Sequence, residues 1–292
     1  TRVFHRQVVR VRLVEPPDKL LEPEALPLDI LYEDPWLVAV NKPALQIAHP
    51  VGVYQTGTLC NALQHHFDRQ TAIAGLLRPG IVHRIDRMTS GVLVVAKEHL
   101  AHRRLSIGFQ QGRFAKEYAA IVEGRIPDDE GSIDRPIGRL PGGGSILMSA
   151  SAGARDPRPA TTRYRVERRF DGHTLVRVRP LTGRNHQIRV HLAAMGHPVL
   201  ADEYYGPFGT IRKMPRSADA VAEPDDGNGA LVDAVETQPN VGEDALIERH
   251  ALHARRLAFE HPITRDRVEI EAPLPEDMQN ALARLERIAA AG

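Results

Sequence analysis

The sequence predicts an α+β protein whose core is a mainly antiparallel, mixed sheet with flanking helices. Two observations carry this prediction. Runs typical of strands outnumber runs with helical spacing, and the two kinds do not alternate regularly as they would in a βαβ winding. The composition, with 42% hydrophobic and 26% charged residues in 292 positions, is that of a globular chain able to bury a substantial core.

Seven segments are predicted strands because their residues alternate or run continuously in apolar and β-branched types. In chain order these segments are 36–42, 91–97, 117–124, 161–170, 173–180, 252–262 and 267–273. Residues 263–266 form a predicted hairpin turn between the last two. Within 161–180, arginines recur at every second position, so one face of this ribbon is predicted to be basic. Judged from charge alone, an ordinary solvated strand face explains the pattern equally well.

Four segments show helical spacing of apolar residues, and they are 58–67, 98–112, 185–196 and 275–291. The third is predicted to begin at an Asn185 cap and to end at Gly196.

Two stretches show neither strand periodicity nor helical periodicity. The Gly- and Ser-rich residues 140–159 are predicted to form a flexible loop, and the acidic residues 207–248 a mobile insertion.

The formal net charge of +1 hides a separation of charges along the chain. Residues 218–248 contain nine acidic residues and no Lys or Arg, whereas residues 151–189 contain ten arginines and three acidic residues. This asymmetry predicts a basic working surface and an acidic loop. No apolar run reaches the length of a signal peptide or membrane span, and Cys60 is the single cysteine. These features predict a soluble, cytoplasmic protein without a disulfide or a cysteine-based zinc site.

Asp86 is a candidate nucleophile. It stands between two arginines in IVHRIDRMTSG (81–91), where a polar segment interrupts two strand-like runs. A catalytic carboxylate in a dry site stays ionised when a nearby cation offsets its desolvation. Taken alone, the motif fits an exposed ion pair in a loop better.

A second polar cluster at 181–206 favours the catalytic interpretation, because arginines, histidines and an asparagine crowd the start of a predicted helix that carries Arg189. His186 and His191 are five positions apart, off the spacings of three or four that place two ligands on one helix face. No metal site is therefore predicted, and both histidines are interpreted as hydrogen-bonded structural residues.

Residues 78–97 (RPGIVHRIDRMTSGVLVVAK) resemble the signature of the RluA-type RNA pseudouridine synthases. Five further blocks are similar to the same family in the same order, at 31–50, 58–63, 116–124, 182–206 and 252–262. The resemblance implies a pseudouridine synthase-like catalytic domain with a central active-site cleft over residues 30–292, preceded by an N-terminal extension at 1–29.

The family resemblance also implies a reaction and its residues. Uridine in structured RNA, ribosomal or transfer RNA, would be isomerised to pseudouridine without cofactor or metal by a monomer. Asp86 would be the nucleophile, Arg189 its bidentate ion-pair partner and Tyr118 the aromatic ring that stacks on the uracil. The implied substrate-binding residues are Arg84, which would enter the stack as the target base leaves, and Arg87, Lys116, Arg184, His186 and Gln187.

Two alternatives remain open from sequence. One is a catalytically silent RNA-binding relative of the same fold. The other is a glycoside hydrolase, which would need a second carboxylate about 5 to 9.5 Å from Asp86, and the matched blocks contain no evident one. Met88 also departs from the family pattern, which usually has an acidic residue there, and the roughly thirty residues before LYEDPW are too few for the small RNA-binding domain that often precedes the catalytic one.

Overall fold

The computed structural model describes residues 21–51, 54–71, 75–144, 146–214 and 245–291. Most of the predicted N-terminal extension and of the predicted acidic insertion lies outside these residues. The elements in chain order are β1 (Ile30–Glu33), β2 (Leu37–Lys42), α1 (Leu59–Asp68), β3 (Gly80–Ile81), β4 (Ser90–Ala96), α2 (His99–Gln110), β5 (Ala115–Glu123), β6 (Glu130–Asp134), β7 (Ile137–Arg139), β8 (Met148–Ser149), β9 (Arg155–Arg158), β10 (Thr161–Phe170), β11 (His173–Pro180), α3 (Gln187–Ala194), a 3-10 turn (Pro207–Gly209), β12 (Leu252–Glu260), β13 (Arg267–Glu271) and α4 (Glu276–Ala291).

One large sheet organises the described part of the chain. Its main path has the order β1-β2-β4-β12-β5-β11-β10-β6, and β13 and β3 pair with β12 and β4 respectively. Every pair in it is antiparallel except β4 with β12. The predicted α+β fold with a mainly antiparallel, mixed sheet is therefore confirmed.

The long ribbon of β10 and β11 shows the predicted alternation. Tyr164 pairs with Val178, which in turn pairs with Tyr118 of β5, so these three side chains share one face, called here the inner face. The arginines at the intervening positions of β10 and β11 lie on the opposite face, called here the arginine face. The predicted basic face of the ribbon is thus present.

Helices α3 and α4 contribute to the apolar core beside this ribbon. Leu192 of α3 and Met278 and Leu285 of α4 belong to the same buried cluster as Val176 and Val178 of β11. The polar residues Gln187 and His191 of α3 bond directly to Thr162 on the inner face of β10. Helix α3 is therefore held against the inner face by both apolar and polar contacts.

A glycine joins the two halves of the sheet. Gly91 pairs with Ala254 at the parallel contact between β4 and β12, and its φ of 115° is a backbone conformation that favours glycine. A Cβ atom at this position would lie 2.2 Å from the Ala254 carbonyl oxygen. Only glycine allows the two strands to approach this closely, and their contact fixes the chain that immediately precedes β4.

The helix starts differ in part from the sequence predictions. Helix α1 begins with a capping box between Thr58 and Asn61. The N-cap of α3 is His186, not the predicted Asn185, and its left-handed backbone (φ 50°, ψ 20°) makes no side-chain cap bond. Among the helices of the described ranges, none is long and apolar enough to cross a membrane.

The prediction of a flexible loop at 140–159 is wrong for residues 146–149 and 155–158, which are buried or lie in strands. Strands β8 and β9 flank β7 in a small second sheet. Ile146, Leu147 and Met148 are buried against Tyr204 and Tyr205 in one apolar cluster. The glycines suggested mobility, but the apolar residues that follow them anchor the segment over α3.

Candidate active site

Asp86 lies in the segment 82–89 between β3 and β4, and its backbone is fixed from two sides. The Thr89 N–H donates to the Asp86 carbonyl oxygen at 2.9 Å. Lys42, which is fully buried, donates from Nζ to the carbonyl oxygen of Arg87 at 3.0 Å. The Asp86 side chain is 23% exposed, so a carboxylate on a rigid loop remains accessible from outside.

Arg189 of α3 binds this carboxylate. Its Nη1 donates to Asp86 Oδ2 at 3.0 Å, although 103 residues separate the two in sequence. The guanidinium is fork-bonded to Asp202 instead, with Nε donating to Oδ2 at 2.7 Å and Nη2 to Oδ1 at 3.0 Å. The predicted pair is therefore formed, but the prediction that Arg189 grips Asp86 in a bidentate manner is wrong.

Asp202 is directed entirely inward. Its side chain is 0% exposed, and Oδ1 also accepts from the backbone N–H groups of Tyr204 and Tyr205 at 3.0 and 3.1 Å. Both tyrosine rings lie beside the Arg189 guanidinium, at 5.8 and 5.2 Å from their centroids. These contacts fix the direction of Arg189, and Oδ1 of Asp86 accepts no hydrogen bond from the described part of the chain.

The environment keeps Asp86 ionised. Burial raises the pKa of this carboxyl, but His186 and His250, when they are protonated in acid, and Arg189 outweigh burial and hold the pKa well below its usual range. Burial lowers the pKa of His186 to about 4 and that of His250 well below its ordinary value, so both histidines are neutral at pH 7. Of these three groups, Arg189 alone carries its charge at neutral pH and keeps Asp86 anionic.

Tyr118 provides an aromatic wall for the site from the inner face of β5. Burial, together with the charge of Asp86, raises the pKa of its phenol, so the hydroxyl stays protonated near neutral pH. The ring is partly buried and borders two apolar clusters. A partly buried aromatic ring in the field of an ionised carboxylate offers a flat surface beside that carboxylate.

Lys116 and Arg184 add positive charge at the same end of the strands. Lys116 Nζ donates to the Thr182 carbonyl oxygen at 2.9 Å, and Arg184 Nε donates to the Pro159 carbonyl oxygen at 3.1 Å. Burial and the nearby Arg184 lower the pKa of Lys116 to about 8. Lys116 is thus still mainly protonated at pH 7, in a position to attract an anionic ligand.

Comparison with known proteins identifies the family. Residues 37–194 match the model of the RNA pseudouridylate synthase family, a span that contains Asp86, Tyr118 and Arg189. The chain belongs to this family. The predicted enzyme class, an RNA pseudouridine synthase, is confirmed.

Sequence relatives align with most of the length of this synthase. It is 40% identical over 281 residues to the uncharacterized RNA pseudouridine synthase YlyB of Bacillus subtilis, covering 96% of this chain and 80% of that protein. It is 37% identical over 278 residues to ribosomal large subunit pseudouridine synthase D of Vibrio parahaemolyticus, covering 95% and 77%. The solved human RNA pseudouridylate synthase domain containing 4, 24% identical with a TM-score of 0.64, covers 88% of this chain and 93% of its own, and shows the shared fold.

His186 and Gln187, predicted to bind substrate, are engaged in different ways. Gln187 Oε1 accepts from the Thr182 hydroxyl and the Arg184 N–H, while Nε2 donates to the Thr161 carbonyl oxygen and to Thr162 Oγ1. All four hydrogen-bonding positions of this amide are therefore occupied, and its role in the synthase is to shape the loop before α3.

His186 borders the site more directly. Its Nδ1 lies 2.7 Å from the Tyr205 hydroxyl, and the charges that act on its pKa are those of Asp86, Arg189, Asp202 and Arg84. His186 is therefore beside the carboxylate, and its contact with substrate stays a prediction. His191 is structural, with its two ring nitrogens 2.9 Å from Thr162 Oγ1 and 2.9 Å from the Arg135 carbonyl oxygen.

Arg84 and Arg87 flank Asp86 on opposite sides of the same loop. Arg84 is partly exposed, and its charge acts on His186, which places it at the site. Arg87 Nε donates to the Leu45 carbonyl oxygen at 2.9 Å. Arg87 therefore helps to fasten the loop, whereas Arg84 is placed near the groups expected to contact a nucleotide.

Sequence reasoning missed three residues that support the site, namely Asp202, Lys42 and Arg249. Arg249 is 4% exposed and donates to the Met88 carbonyl oxygen at 3.0 Å and to the Ser90 hydroxyl at 3.2 Å. Each missed residue was inside or next to a matched block without an assigned role. The available signal was an ionisable residue in or beside a matched block that had no assigned role, since such a residue needs a partner if it is buried.

Proposed function

We propose that this synthase isomerises uridine to pseudouridine in large-subunit ribosomal RNA, with Asp86 as the nucleophile. The observation that carries the proposal is a single accessible carboxylate, held anionic by Arg189, beside the aromatic ring of Tyr118. The choice of RNA rests on several relatives named ribosomal large subunit pseudouridine synthase D.

The target nucleotide would have to leave its stack to reach this site. Flipping a base costs a few kcal/mol, and stacking on an aromatic ring returns about 1–3 kcal/mol. In this proposal Tyr118 provides the ring and Arg84 enters the space that the base vacates. Lys116 and Arg184 bind phosphates next to the target, which fits their position at one end of the strands.

The reaction rearranges the nucleoside and conserves its atoms. The bond between ribose C1′ and uracil N1 breaks while Asp86 makes a transient covalent bond to the nucleoside. The uracil turns against Tyr118, a bond forms between C1′ and C5, a proton leaves C5 and one is taken up at N1. The bond between Asp86 and the nucleoside breaks, no later than the C1′–C5 bond forms if it is to C1′, and the carboxylate is released. Because the ring must turn without escaping, a flat and rigid wall serves this step better than a polar one.

The two alternatives fit the site less well. A second carboxylate, Asp202, is present nearby, but it is 0% exposed and bonded to Arg189 through both oxygens, so it cannot serve a hydrolase as acid or base. A silent RNA-binding protein would have no use for an ionised, partly exposed Asp86. We keep the predicted monomer as part of the proposal, and a ribosomal RNA substrate fits the predicted cytoplasmic location.

The decisive experiment replaces Asp86 with Asn. We expect Asp86→Asn to form no detectable pseudouridine in a large-subunit ribosomal RNA transcript, as measured by mass spectrometry of its nucleosides, because an amide is not a nucleophile. RNA affinity should persist, since the change removes no cation. Asp171→Asn, in the exposed turn between β10 and β11, is the matched control and should keep wild-type turnover. An active Asp86→Asn enzyme would remove Asp86 from the proposed role.

A further inference from the structure

Four arginines form a regular array on the arginine face of the sheet. Arg163 of β10 lies opposite Arg179 of β11, and Arg165 lies opposite Arg177. Directly opposite residues in an antiparallel pair have Cβ atoms about 4.5–5.5 Å apart, and positions two residues apart along a strand are separated by about 6.6–6.8 Å. The array is therefore a compact two-by-two arrangement of guanidinium groups on a rigid ribbon.

The array is unfavourable for folding by itself. Like charges directly opposite one another destabilise a strand pair, and here two such pairs follow each other. Arg179 and Arg177 are compensated, by Glu117 at 2.7 Å and Glu167 at 2.7 Å respectively. Within the described ranges, Arg163 and Arg165 have neither an ion pair nor a hydrogen bond, and both are exposed. A fold that needed only a solvated strand face would not require four arginines in register.

The surface around the array is concave. A hollow on this face is lined by the four arginines together with Glu130, Gly131, Ser132 and Tyr164. The two uncompensated arginines lie on β10, next to the edge strand β6, where Arg163 pairs with Ser132 and Arg165 with Glu130. A hollow lined by guanidinium groups, two of them without an ion pair in the described ranges, suits a chain of phosphates, because a guanidinium binds phosphate oxygens in a bidentate manner.

We propose that Arg163, Arg165, Arg177 and Arg179 form a second RNA-contact surface, which binds phosphates of the substrate RNA on the face of the sheet opposite Asp86. The inference rests on the proposed function for its ligand. It adds a contact far from the target nucleotide, with phosphate recognition in place of base recognition.

The array is continuous with the active site around one end of the strands. Arg179 follows Val178, which is the pairing partner of Tyr118, so the array begins one residue from the strand position opposite the proposed stacking ring. Lys116 and Arg184 lie at this same end, where β5 begins and β11 ends. An RNA strand that leaves the inner face can pass these two cations, turn over the strand ends and reach Arg179 and Arg163.

The test is the salt dependence of RNA binding. The probe is an in vitro transcript of large-subunit ribosomal RNA, and the variant is R163Q/R165Q, which removes the two uncompensated arginines. Each phosphate contact contributes about 0.7 to 0.9 to the slope of log K against log salt concentration, so the slope should become shallower by about 1.4 to 1.8. The matched control R103Q/R287Q removes two exposed helix arginines and should keep the wild-type slope.

The outcomes separate this inference from the proposed function. A shallower slope in R163Q/R165Q together with an unchanged slope in the control supports the array, and a wild-type slope in R163Q/R165Q overturns it. A thermal melt identifies any variant that fails to fold, and R163K/R165K, which preserves both charges, should recover most of the slope. Binding is measured without turnover, so an active Asp86→Asn enzyme would refute the nucleophile assignment and leave the result for the array unchanged.

Discussion

Two buried arginines approach the segment that carries Asp86, one from each side. Arg189 is 1% exposed and binds Asp86 and Asp202. Arg249 is 4% exposed and binds Asp277 through Nε and Nη2, at 2.7 and 3.0 Å. In residue type, burial and fork-bonding to a carboxylate, the two are nearly the same.

What differs is the rest of their hydrogen bonds. Nη1 of Arg249 is shared among the carbonyl oxygens of Met88, His250 and Leu252, all within 3.1 Å, so this guanidinium ties backbone segments together. Nη1 of Arg189 instead points at Asp86, whose other carboxylate oxygen accepts no bond from the described residues. Burial of a charge therefore does not distinguish the arginine proposed to support catalysis from the one that ties the backbone together. The distinguishing feature is a partner with unused hydrogen-bonding capacity at an accessible surface.

Removing Arg189 should have the largest effect on the reaction. In Arg189→Met, burial is no longer offset at neutral pH, so the pKa of Asp86 should rise. We expect kcat to fall by about 10²–10³-fold, and the remaining activity to increase with pH because only ionised Asp86 reacts. The wild type should show no such acid limb above pH 5. Rates measured from pH 5 to 9 test this, and a near-normal rate at pH 7 would take Arg189 out of the site.

Removing Arg249 should affect stability with little effect on the reaction, whereas Arg189→Met lowers both, because it also leaves the buried Asp202 without its ion-pair partner. Arg249→Met leaves the Met88, His250 and Leu252 carbonyl oxygens and the Ser90 hydroxyl without this donor. The loss of such a buried network costs about 3 kcal/mol, and Asp277, 41% exposed, can be solvated. Urea unfolding measures the loss, and kcat per folded molecule should stay within about threefold of wild type. A large drop in kcat without a loss of stability would mean that the two arginines do not differ as proposed.

Asp202 sharpens the comparison because it directs Arg189 without meeting substrate. Asp202→Asn keeps the size of the side chain but replaces one acceptor with a donor that faces the guanidinium. We expect Arg189 to turn away from its present direction and kcat to fall by about 10- to 100-fold with little change in KM. Steady-state kinetics at a temperature well below the melting point checks this. A change confined to KM would contradict a positioning role.

The sequence predicted the parts of the site that depend on local pattern. The alternation in β10 and β11 placed the arginines on one face of the ribbon, because strand periodicity is strict. The resemblance to a family brought Asp86 and Arg189 together across 103 residues, which no local pattern could do. These features follow from periodicity or from a matched motif.

The parts that could not be predicted depend on three-dimensional neighbours. The fork of Arg189 goes to Asp202 because both are enclosed by Tyr204 and Tyr205, and nothing in the spacing of these residues specifies that enclosure. His186 replaces Asn185 as the N-cap of α3, and its ring is held by a contact with the Tyr205 hydroxyl that the local sequence does not specify. Tertiary contacts of this kind override local propensity.

The smallest expected effect concerns Lys116, whose pKa is lowered to about 8 by burial and by the nearby Arg184. A lysine with a lowered pKa is protonated below that value and neutral above it. RNA affinity of the wild type should therefore weaken several-fold as the pH rises from 7 to 9, because one phosphate contact loses its charge. Lys116→Arg, which stays protonated over this range, should remove the decline, and Lys116→Met should bind more weakly at pH 7 and show no decline.

Binding isotherms at constant ionic strength, in an Asp86→Asn background that prevents turnover, give the comparison. If Lys116→Arg declines in parallel with wild type, the pH dependence arises elsewhere and Lys116 does not contact the RNA.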